Sequence, residues 1–106
     1  METLYKFNNS SEKLVEKIVD DDFSVIAHVI LAKGDVVPEH NSNSNTYFII
    51  VQGAMTLRLG DENTKLYEKG SIIYIPYDIK MNISNNSESN LEFFIVKSPN
   101  PKNYKV

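Results

Sequence analysis

Short apolar runs of strand length, each cut off by glycine, proline or asparagine, leave this chain few folds to choose from. Residues 23–31, 47–51, 71–75 and 91–96 are rich in branched and aromatic side chains. Such side chains favour extended backbone because they pack well on a pleated surface. Turn residues separate the runs: Lys33-Gly34-Asp35, Gly53, Gly60-Asp61-Glu62-Asn63, Lys69-Gly70 and Pro76. Roughly eight to ten short strands with such punctuation predict a sandwich or small barrel, and no crossover helix is required.

Alternation refines the individual strands. Met55, Leu57 and Leu59 alternate with Thr56 and Arg58, and Met81 and Ile83 alternate with Lys80 and Asn82, so each segment has one dry and one wet face. Residues 64–67 are expected to pair with 55–59 as a hairpin. Residues 4–7 form a short extended candidate. Residues 11–19 admit two readings: Leu14, Val15 and Ile18 recur at helical spacing behind Ser11, whereas nine residues is short for a helix and suits a strand with a local irregularity. The strand is favoured, by analogy with the rest of the chain. Pro38 lacks a ladder donor, so a strand at 35–37 should end there or lie at an edge. Pro99 and Pro101 should bar regular structure in the tail.

At 106 residues the chain is expected to form one domain, residues 1–106, because two independently stable cores would not fit. A net charge of -3 provides no basic surface for phosphate backbones, which argues against a nucleic-acid partner. The apolar runs are too short to cross a bilayer as helices, the polar residues 1–6 do not resemble a signal peptide, and no membrane partner is expected. Cysteine is absent, which excludes disulfides, thiol nucleophiles and thiolate metal sites. A cytoplasmic location is the default expectation. The asparagine-rich stretches 41–45 and 82–90 read as loops.

The spacing within residues 34–85 is more specific. Gly34 is followed after five residues by His40, then by Ser42, Thr46 and Gly53, while Gly70 is followed after five residues by Pro76 and then by Met81 and Asn85. This order resembles the two motifs of the cupin superfamily, and the end of the chain, Leu91 to Pro101, looks like the end of small single-domain cupins. The resemblance implies an all-β, double-stranded β-helix (jelly-roll) barrel. Asp78 stands where the second motif usually has a glycine. In metal-binding members a second histidine would stand at Ser42, a glutamate at Thr46 and a third histidine at Met81, so only His40 is retained.

Three or four donors must converge to hold a first-row metal. Neutral hydroxyls at Ser42 and Thr46 and a thioether at Met81 are poor substitutes, so neither a metal nor another cofactor is expected. His28 lies in an apolar run and reads as structural or solvent-facing, and Glu39, adjacent to His40, as solvated. The expected site is instead a pocket lined by His40, Ser42, Thr46, Phe48 and Met81, suited to a small neutral organic ligand. The leading functional expectation is a non-enzymatic small-molecule-binding or regulatory module. The alternatives are a metal-independent isomerase- or epimerase-like enzyme using His40, a metal-dependent enzyme with an atypical site, or an interaction module with a filled interior. A homodimer is implied by the resemblance, and the apolar runs 47–51 and 72–75 supply a physical motive, since one small core cannot cover all their faces.

Overall fold

The computed structural model describes residues 1–105. Nine strands follow one another: β1 Leu14–Asp20, β2 Val25–Leu31, β3 Val36–Asn41, β4 Thr46–Gln52, β5 Ala54–Leu59, β6 Lys65–Glu68, β7 Ile72–Ile75, β8 Lys80–Ser84 and β9 Leu91–Lys97. They form two antiparallel sheets, one in the order β1-β2-β9-β4-β7 and the other β3-β8-β5-β6. No helix among the described residues is long and apolar enough to cross a membrane.

Alternation within each strand places the core. Phe48 and Ile50 of β4, Phe93 of β9, Val29 and Leu31 of β2 and Ile75 of β7 meet Met55, Leu57, Met81 and Ile83 of the opposite sheet, all buried. Phe48 and Phe93 touch edge to face with centroids 5.6 Å apart, a favoured arrangement for aromatic quadrupoles.

Residues 14–20 are a strand with a register shift between Lys17 and Val19, which explains why their apolar spacing imitates a helix: the irregularity moves one residue out of strict alternation. β3 continues through Pro38 to Asn41, and its pairing with β8 skips between Val37 and His40. It is an edge strand of its sheet, so the missing proline donor disrupts no second ladder. Residues 4–7 join no sheet; Phe7 instead packs on His28 and Phe94, at 5.0 and 4.9 Å between centroids. The tail departs from expectation by one 3-10 turn, Pro101–Asn103. Pro101 begins it, where its missing N–H has no intrahelical partner to lose.

Strands switch sheets through tight corners, and these corners are cross-linked. The side chain of Asn85, fully buried, donates to the carbonyls of Leu31 and Ser89 and accepts from the Ser87 N–H. The backbone N–H of Gly34 donates to the Asn85 carbonyl, and that of Asn85 to the Asp35 carbonyl. Asp78 takes a positive φ of 62°, the backbone conformation that glycine ordinarily supplies. Aspartate tolerates it because its short polar side chain bonds locally, here by accepting from Asn41 Nδ2 at 2.9 Å.

Gly53, at the β4–β5 corner, has φ +76° and lies against the 90–91 backbone, where an added Cβ would overlap the Asn90 carbonyl; at Gly34 (φ +84°) an added Cβ meets nothing within 4 Å. Chemical denaturation should therefore separate the two positions. Gly34→Ala should lose about 1 kcal/mol to backbone strain alone, and Gly53→Ala about 3 kcal/mol because steric overlap adds to strain.

Candidate functional site

A partly enclosed cavity of about 190 Å³ lies between the sheets. Phe48, Phe93, Met81, Ile83 and Val29 are its buried apolar walls, and Val15 and Val37 contribute from the edge strands β1 and β3. Its polar groups are His40, Thr46 and Lys97. His40 and Met81 are register partners on β3 and β8, and Thr46 and Lys97 are partners on β4 and β9.

Of the five residues expected from spacing to share a pocket, four do so: His40, Thr46, Phe48 and Met81. Ser42 lies outside this lining. It is buried at the β3–β4 corner, where its hydroxyl donates to the Pro76 carbonyl at 2.6 Å and accepts from the Ile79 N–H at 2.9 Å. Two backbone bonds reinforce the junction, from the Ser42 N–H to Ile79 and from the Asp78 N–H to Ser42. Inward alternation from His40 does not extend to Ser42, because β3 ends at Asn41 and the chain turns toward the other sheet.

Lys97 was not foreseen. It closes a strongly apolar run, β9 is central in its sheet, and the alternation Phe93, Ile95, Lys97 carries the lysine inward. Burial, and secondarily the charge of Lys17, lowers its pKa from the usual lysine value, since desolvation disfavours the charged form. Among the described residues no carboxylate forms an ion pair with it.

The remaining polar groups have defined hydrogen-bonding states. His40 Nδ1 lies 2.9 Å from the Pro38 carbonyl; a carbonyl only accepts, so Nδ1 carries hydrogen and Nε2 is left for another partner. The Thr46 hydroxyl donates to the Ser44 carbonyl at 3.0 Å and retains acceptor capacity. These side chains do not fit the metal centre that the fold family suggests. Ser42 is engaged at a corner, Thr46 is neutral and internally bonded, and Met81 supplies only a thioether, so His40 stands without convergent charged or imidazole donors. Among the described residues no three His, Cys, Asp or Glu side chains are grouped to hold an ion. Glu39 is exposed, with a carboxylate oxygen 3.8 Å from Lys80 Nζ.

His28 does not reach this cavity. It sits on the outer face of the five-stranded sheet, fully buried because Phe7 covers it and Phe94 stacks on it. Its Nδ1 faces Glu16 Oε2 at 2.8 Å and its Nε2 faces Glu92 Oε2 at 2.6 Å, so a carboxylate meets each ring nitrogen. The pKa of Glu16 is lowered, first by the backbone N–H of Asn8 and then by the hydrogen bond to His28.

Known proteins share this architecture. The Cupin domain family matches residues 27–97, and the chain is 42% identical over 103 residues to an uncharacterised protein of Methanocaldococcus jannaschii, spanning 96% of this chain and 89% of that protein. The crystal structure of that relative, an RmlC-like cupin family protein with a double-stranded β-helix fold, superposes with a TM-score of 0.92 and covers 96% of this chain and 94% of that one. The chain therefore belongs to the cupin family. More distant structures share the fold: a cupin superfamily protein of Desulfitobacterium hafniense at 15% identity and TM-score 0.73, covering 88% and 83% of the two chains, and KdgF from a Halomonas species at 14% and 0.72, covering 92% and 88%.

Two outcomes follow from the roles of Ser42 and Glu16. Ser42→Ala should destabilise the fold by about 1 kcal/mol in denaturant titrations, because it removes the acceptor of the part-buried Ile79 N–H. Glu16 has a folded pKa below its ordinary 4.5, so its contribution to stability is present above that value and is lost as pH falls through the folded pKa. Thermal unfolding should show Tm falling as pH drops below 4.5, with a shallower fall in Glu16→Gln.

Proposed function

We propose that this protein is a non-enzymatic small-molecule-binding or regulatory cupin module that works without a metal centre. The observation that carries this reading is the cavity of about 190 Å³ beside His40, Phe48 and Met81, since an interaction module with a filled interior would have none. An engineered apolar cavity of about 150 Å³ holds a benzene molecule, so the space accommodates a small organic ligand. Apolar walls would supply its affinity, and a few polar groups its orientation.

Acid-base catalysis by His40 has weaker support. The ring is oriented by the Pro38 carbonyl, not by a carboxylate that would stabilise an imidazolium during turnover. The protein is further proposed to act in the cytoplasm as a homodimer. Tyr47, Val51, Ile72 and Tyr74 are exposed on β4 and the edge strand β7, and pairing of two copies would cover this apolar surface.

Thermal-shift screening of the purified protein against small organic compounds and first-row metals tests the binding reading. Organic ligands should raise Tm and metals should not, and His40→Ala should keep the fold while weakening ligand binding severalfold. Stoichiometric micromolar binding of Ni, Mn or Fe would overturn the metal-free reading, and sedimentation as a concentration-independent 12.1 kDa species would overturn the dimer.

A further inference from the structure

The cavity contains a cation but no matching anion. Lys97 is half-buried on its wall, and no Asp or Glu lines the space. Among the described residues, none of the protein's ion pairs includes Lys97. The nearby charge of Lys17 opposes that of Lys97, while Lys17 itself pairs with Asp20 at 3.5 Å. A partly desolvated ammonium without a counter-charge is costly to maintain, and an anion entering beside it regains Coulomb energy in a low-dielectric setting.

We infer that the ligand is a small monocarboxylate with an apolar body, its carboxylate on Lys97 and its body against Phe48, Met81, Ile83 and Phe93; this inference rests on the binding reading above. One ammonium matches one negative charge. His40 Nε2 can donate a second bond to the carboxylate when the ring is protonated, and the one further polar group of the lining, Thr46, has its hydroxyl hydrogen on the Ser44 carbonyl. A phosphate or dicarboxylate would bring more charge and more lone pairs than these groups satisfy, and the remaining lining is aliphatic, aromatic or thioether. The sizes agree as well: a space about 40 Å³ larger than the 150 Å³ that holds benzene leaves room for a carboxylate beyond a ring or a branched chain.

Isothermal titration of the full chain at pH 7 with benzoate, benzyl alcohol and benzylamine tests the inference, because the three share a ring and differ in the charge of their polar end. Benzoate should bind about tenfold more tightly than benzyl alcohol, benzylamine should bind weakest, and NMR methyl shifts should concentrate on Met81, Ile83 and Ile95. Lys97→Met should weaken benzoate about tenfold and abolish the preference for benzoate over benzyl alcohol. Equal affinities for benzoate and benzyl alcohol in the wild-type protein would overturn the monocarboxylate assignment and leave the binding reading standing. Unchanged benzoate affinity in Lys97→Met would do the same. Failure of all three compounds to bind at millimolar concentration would count against both. The charge series in the wild-type protein decides the matter even if Lys97→Met does not fold.

Discussion

Hydrogen-bond ladders hold strands together within a sheet, but nothing in a ladder fixes one sheet over another. In this protein that task falls to buried bonds at the corners where the chain crosses between sheets. Asn85 ties the β8–β9 corner to the end of β2, while Gly34 and Asp35 pair with its backbone. Ser42 ties the β3–β4 corner to the β7–β8 corner through its hydroxyl and its backbone. Both side chains are buried with their polar atoms satisfied, so they hold the closure without the cost of stranded donors. The core between them, centred on Phe48 and Phe93, packs on a frame whose spacing the corners set.

The cavity depends on that frame. His40, Met81, Thr46 and Lys97 come from four strands in two sheets, and they face one space because the corners hold the sheets apart at that place. The glycines and proline of the motif spacing thus serve the barrel, while of the three residues that stand where the cupin resemblance implies metal ligands, Thr46 and Met81 lie on the cavity wall and Ser42 is part of a corner.

The two faces of the five-stranded sheet treat charge differently. On the outer face His28 is enclosed, yet it is met by Glu16 and Glu92 and covered by aromatic rings, so its ring nitrogens lack nothing. On the inner face Lys97 meets apolar walls and no carboxylate. One sheet therefore presents a satisfied hydrogen-bonded cluster on one side and an unmatched cation on the other, and the cavity side is the one with chemistry left to complete.

Much of the fold was legible from local patterns. Branched runs separated by Gly34, Gly53, Gly70 and Pro76 specify strands and corners, because backbone preference and alternation act over a few residues. The same alternation placed Phe48 beside Thr46 and Ile83 beside Met81. It failed at Ser42, where the strand ends and the hydroxyl is claimed by residues 76 and 79, more than thirty positions away. It gave no warning of Lys97, whose inward direction follows only once β9 is known to be central between β2 and β4. Local pattern and spacing alone specify the all-β barrel and its family, and place Ser42, Thr46 and Met81 where charged or imidazole donors would be needed to hold a metal. The tertiary structure alone decided that an open cavity remains and that a lysine faces it, because cavity volume and charge pairing depend on contacts between strands distant in sequence.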